Sequence, residues 1–140
     1  MTEERKKWED IYRATDYVCP EAGITLIPGE PCAILGQLTS GFDEKGYAFI
    51  TAWNPGSEPV SSAQNRKQNS LLEERITQGR YIYFEGKGIP REEGWEPEDS
   101  YLILGIKKNE ALALGKEFGQ RAILCGYGSG KTELLFIEDF

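Results

Sequence analysis

The sequence predicts an α+β domain, with a mixed, mostly antiparallel sheet of five to six strands packed by two or three helices. Three observations predict it. Short apolar or alternating runs recur along the chain, among them Tyr47–Trp53, Arg80–Glu85, Ser100–Ile106 and Ala122–Cys125. Helical spacing is confined to a few stretches between them. A length of 140 residues with 39% hydrophobic content suits one domain around one core, so residues 1–140 are read as a single unit.

Taken in order, residues 3–14 read as a charged helix whose apolar stripe is Trp8, Ile11, Tyr12 and Thr15. Tyr17–Cys19 and Ile24–Ile27 read as short strands about the Pro20–Gly23 turn, and Pro28-Gly29 stops the second. Residues 30–39 make a short helix or helical turn, with Pro31 tolerated in its first turn. Tyr47–Trp53 is a strand with both faces covered, ended by Asn54-Pro55-Gly56-Ser57. Ser61 or Ser62 then caps a helix that runs to about Gln78, with Gly79 as its stop. Arg80–Glu85 is a strand, Gly86–Asp99 a long polar loop, and Ser100–Ile106 a buried strand. Asn109 caps a helix to Phe118, and Ala122–Cys125 and Glu133–Ile137 are strands about the GYGSGK turn.

Composition excludes several function classes. The net charge of −7 argues against nucleic acid as a bulk partner. No apolar run reaches membrane-span length and the N-terminus lacks the apolar core of a signal peptide, so a cytoplasmic protein without a membrane partner is expected. Cys19, Cys32 and Cys125 form no CxxC pair and are expected to be reduced and mostly buried. The chain has no histidine, which removes Ser-His-Asp and Cys-His catalysis and histidine metal sites. CGYGSGKT (Cys125–Thr132) lacks the first glycine of a phosphate loop and is followed by a strand instead of a helix, so it is not a nucleotide triphosphatase motif. The acidic residues Glu92, Glu93, Glu96, Glu98 and Asp99 match no calcium-loop spacing, and neither a metal nor another cofactor is expected.

The central helix carries the functional question. At 100° per residue, Asn69, Leu72 and Ile76 fall within about 40° of Asn65. Two amides thus share the face that should meet the core. A buried amide without partners costs roughly 1–3 kcal/mol, so either the protein satisfies them or a ligand does. Arg66 and Lys67 near the helix start suit an anion, or simply a solvated face. Residues 61–81 carry four basic and two acidic side chains, a local +2 in an acidic protein. Trp95 sits in a polar loop, where its ring covers either the loop or a planar ligand. Glu98 precedes a buried strand, where a carboxylate can accept hydrogen bonds from a ligand.

TAWNP at Thr51–Pro55, Asn65 and Asn69 in NRKQNSLL, Trp95 and Glu98 before the Ser100 strand, and FGQRAI at Phe118–Ile123 together resemble the domain of unknown function 3293 family. The pattern follows the chain from about Ile11 to its end. The resemblance implies a small single-domain bacterial or phage protein and supplies no activity. It adds Asn54, Ser100 and Gln120 to the residues of interest. Its carboxylate falls on Glu98, with Glu96 the alternative because the WEPEDS loop is slightly long.

Amides, a carboxylate, a hydroxyl and an indole without a nucleophile–base pair suggest recognition chemistry. The expected function is a binding module for a nucleotide-like small molecule, one that sequesters a signalling nucleotide in the manner of a phage anti-defence protein. Its ligand-binding residues would be Asn54, Asn65, Arg66, Asn69, Trp95, Glu98, Ser100 and Gln120. One alternative is an enzyme acting on a nucleotide or ADP-ribose-type compound, with Glu98 as general acid or base. Another is a protein-interaction module whose asparagines only hold loop backbone. A homo-oligomer with a pocket across its interface stays open.

Overall fold

A computed structural model gives the fold and describes residues 2–55 and 58–137. Along the chain these form α1 (Glu3–Arg13), β1 (Thr15–Cys19), β2 (Ile24–Leu26), α2 (Ala33–Leu38), β3 (Gly46–Ile50), α3 (Ser62–Gln78), β4 (Ile82–Pro90), β5 (Glu98–Leu104), α4 (Lys108–Glu117), β6 (Ala122–Tyr127) and β7 (Glu133–Phe136). The strands make one sheet in the order β2-β1-β4-β5-β3-β6-β7. The α+β class stands, but among the described residues the sheet has seven strands and the α-helices number four, more than the expected five to six and two or three. The short β1–β2 and β6–β7 hairpins all join the sheet, and every pairing among the described residues is antiparallel instead of mixed.

Local chemistry sets the boundaries. The Ser61 hydroxyl caps α3 by accepting the Gln64 amide at 3.2 Å. Gly79, expected as the stop of α3, keeps a right-handed backbone, and Arg80 takes the left-handed conformation at φ 60°. The helix α4 begins one residue before the expected Asn109 cap, where the Lys107 amide donates to Glu110 at 3.1 Å. β3 ends at Ile50, short of Trp53. Beyond it the Thr51 hydroxyl donates to the Asp99 carbonyl at 2.6 Å and accepts the Trp53 amide at 3.0 Å, which turns the chain out of the ladder. The largest departure is the expected Gly86–Asp99 loop. β4 continues to Pro90 and β5 starts at Glu98, so only residues 91–97 connect them.

The sheet has two unlike faces. Ala48, Ile50, Tyr101, Ile103, Ile123 and Cys125 pack against Leu72 and Ile76 of α3 and Ala111 of α4. On the other face Tyr47, Phe49, Leu102, Leu104 and Leu124 meet Leu35 of α2 and the β1–β2 residues Tyr17, Cys19, Ile24 and Leu26. Tyr47 also joins its hydroxyl to that of Thr132 at 2.8 Å, which ties β3 to the β7 side. α1 has no fully buried residue; Trp8, Ile11 and Tyr12 of its expected stripe are half-buried, and Thr15 is instead a buried residue of β1. Beneath it the second face is left unfilled. No helix among the described residues is long and apolar enough to cross a membrane.

Candidate functional site

The unfilled space is a cleft of about 380 Å³. Trp8, Ile11 and Tyr12 of α1 form one wall, and Thr15, Tyr17, Phe49, Gly88, Ser100 and Leu124 form the sheet side. Two loops close the rest: Thr51, Trp53, Asn54 and Pro59 after β3, and Gly94, Trp95 and Glu96 after β4. Gln120 reaches it from the end of α4. Gly119, at φ 68°, makes the left-handed stop that turns the chain there, and the Gln120 amide group donates to the Trp53 and Phe118 carbonyls at 3.3 and 3.2 Å.

Glu98 is the chemical centre of this cleft. Tyr17, Gly88 and Glu98 lie opposite one another on three neighbouring strands, with Gly88 in the middle. Burial raises the Glu98 carboxyl from an ordinary 4.5 to about 7. No side-chain or backbone donor pairs with it among the described residues. The Tyr17 phenol is raised as well, first by burial and in smaller part by the Glu98 charge, and its hydroxyl donates to the Tyr12 carbonyl at 2.7 Å. That bond fastens α1 to the sheet. Glu96 also lines the cleft but is exposed, so Glu98 is the carboxylate with a distinct environment.

The aromatic wall is built from distant segments. Trp95 meets Trp8 edge-on, with ring centroids 6.2 Å apart, and Trp8 lies 6.1 Å from Tyr12. The Arg121 guanidinium sits 5.2 Å over the Trp8 ring. Tyr12 was expected as either core or a stacking surface, whereas Trp8 and Ile11 were expected only as part of a helix stripe. Their role as a wall was missed because a stripe that packs on a core and one that covers a cleft have the same spacing.

The asparagines do different work from the cleft residues. Asn69 accepts the Ala52 amide at 2.8 Å and donates to the Asp99 carbonyl at 2.9 Å. Asn65 accepts the Asn54 amide at 2.7 Å and donates to the Asn54 side-chain oxygen at 2.9 Å. Asn54, at φ 44°, in turn accepts the Val60 amide at 3.2 Å. Asn65 and Asn69 are buried and brace the β3–α3 turn, and of the three only Asn54 lines the cleft. Ser100 lines it too, with its hydroxyl donating to the Glu98 carbonyl at 3.0 Å. Arg66 is exposed on α3 and does not reach it. No lysine or arginine among the described residues lines the cleft. Among the described residues no group of three metal-ligating side chains comes together.

Residues 50–123, more than half of the chain, match the family described as Protein of unknown function (DUF3293). The chain belongs to the DUF3293 family. No curated protein and no solved structure matches it. The DUF3293 span is narrower than the resemblance from Ile11 onward. It includes the asparagine brace, Gly88, Trp95, Glu98 and Gln120, and leaves out α1, β1, β2 and β7.

Proposed function

We propose that this protein is a binding module for a small, flat, nucleoside-like molecule, which enters the cleft base first. The observation that carries this reading is a half-buried Glu98 carboxyl, without a hydrogen-bond partner among the described residues, in an aromatic-walled cleft of about 380 Å³. Small-molecule sites are of this size, largely apolar and furnished with a few polar groups. Indole and phenol rings offer faces for stacking, and a carboxylate accepts from the N–H edge of a base. Among the described residues two carboxylates and no cation line the cleft, so any phosphate of the ligand would stay outside in water. A binder of this kind acts by holding its ligand away from other partners.

A second reading, an enzyme acting on the same class of compound, draws on one observation. A carboxyl group brought to about 7 can both give and take a proton near neutral pH.

The deciding experiment is a thermal-shift screen with nucleosides, nucleotides, cyclic dinucleotides, NAD and ADP-ribose, followed by chromatography of the recovered compound. A ligand at about 100 times its Kd adds about 2.7 kcal/mol, enough to detect. An intact recovered ligand supports the binder. An altered one supports the enzyme, with Glu98→Gln expected to abolish turnover. No shift with any compound overturns both readings and favours a protein-interaction module.

A further inference from the structure

Two glycines of β4 lie on the same side of the sheet, two residues apart, and packing explains only one. At Gly86 a Cβ would stand 2.7 Å from the Val18 carbonyl oxygen and 2.8 Å from the Phe49 ring, so the sheet itself excludes a side chain. At Gly88 a Cβ would stand 3.7 Å from the Tyr17 ring and the Thr15 methyl, which is ordinary contact. Gly88 is also outside the left-handed backbone region. Neither crowding nor backbone conformation calls for glycine there, and glycine weakens a strand interior. Its missing side chain leaves the cleft open between Tyr17 and Glu98, the residues opposite it on either side.

An interior strand glycine often marks a bulge, a tight bend or a close approach by a ligand or another backbone, and at Gly88 the ladder runs in unbroken register to both neighbouring strands, so it holds no bulge. We infer that Gly88 is the seat of the ligand and its size filter: a flat heteroaromatic ring, neutral or cationic, lies against the β4 backbone at Gly88, beside Tyr17 and with an N–H edge toward Glu98. This deepens the small-molecule reading above and rests on it. Any side chain larger than a methyl at position 88 occupies the space of the ring. Glu98 would then be the hydrogen-bond acceptor that orients the ring, and with no cation among the described lining residues an anionic ring is disfavoured.

The test titrates adenosine, guanosine, cytidine and uridine into the protein. Amide NMR follows the wild type, and calorimetry follows Gly88→Ala, Gly88→Val and Gly88→Leu. At least one nucleoside is expected to bind, with the Gly88 amide among the most shifted. Affinity is expected to fall stepwise through the series, at least tenfold by leucine. Gly88→Ala should melt no lower than the wild type, whereas Gly86→Ala should melt lower. Binding that leaves the Gly88 amide unmoved, or that Gly88→Leu retains in full, overturns the seat and leaves the proposed function standing. Should the leucine variant fail to fold, the wild-type amide and the alanine and valine variants decide the matter. If no nucleoside binds the wild type, both the seat and the reading beneath it fall.

Discussion

Asn65 and Asn54 are joined twice across the turn between β3 and α3, amide to carbonyl at 2.7 Å and NH2 to side-chain oxygen at 2.9 Å. With Asn69 they replace the ladder bonds that β3 gives up when it ends at Ile50. Removing one partner of such a pair leaves a polar backbone group to be desolvated alone. Asn65→Ala and Asn69→Ala should each cost about 1–3 kcal/mol in urea unfolding. The two losses should not add, since both side chains brace one turn. An unchanged midpoint in either variant would show that the brace is dispensable.

The Glu98 carboxyl makes stability depend on pH with an unusual sign. In the fold its pKa is about 7, against an ordinary 4.5. Between those values the folded chain keeps a proton that the unfolded chain releases, so stability falls as pH rises. The Glu98 contribution is fully present below about 4.5 and is lost once pH passes about 7. Glu98→Gln should remove that slope and gain on the order of 3 kcal/mol over the wild type between pH 4 and pH 8. Urea titrations of both proteins at the two pH values check it, and parallel curves would sink it.

Trp95 is 43% exposed and touches Trp8 edge-on, so truncating it should harm the fold little. An aromatic pair contributes about 0.5–1.5 kcal/mol beyond its area. Stacking of a base on an aromatic ring contributes about 1–3 kcal/mol, or roughly tenfold in affinity for every 1.4. Trp95→Ala should therefore weaken nucleoside binding about tenfold or more while shifting the unfolding midpoint only modestly. Calorimetry and melting on one sample separate the two effects.

The three thiols should differ in reactivity. Cys19 and Cys125 are buried, and burial raises both thiols, with the Cys19 sulfur also donating to the Glu85 carbonyl at 3.3 Å. Cys32 is half-buried beside α2. A disulfide reagent should modify Cys32 first in the native protein, and Cys32→Ser should remove the fast phase. Equal rates at all three positions would contradict the burial pattern.

The elements that declare themselves by local signals were legible in the sequence. The helix α3 with its Ser61 cap, the buried β5 and the Gln120 turn all carry such signals. The long loop from Gly86 was not legible, because its glycines look like turn residues. One is glycine because Val18 and Phe49 leave no room, a fact of strands distant in sequence. The alignment of Asn65 and Asn69 with Leu72 and Ile76 was visible, and all four are buried. What satisfies the amides was not visible, since Ala52, Asn54 and the Asp99 carbonyl come from other segments. The same limit hid Trp8 as a wall of the cleft, since its neighbours there are residues 95 and 121.

The family match covers only part of the cleft lining. The shared span, residues 50–123, holds the brace, Gly88 and Glu98, whereas Trp8, Ile11, Tyr12 and Tyr17 lie outside it. On the reading proposed above, ligand contacts would be divided between the matched span and the α1–β1 segment outside it. Grafting that segment from one member onto another should carry ligand preference with it, much as changing a lock's faceplate changes which keys enter without touching the bolt.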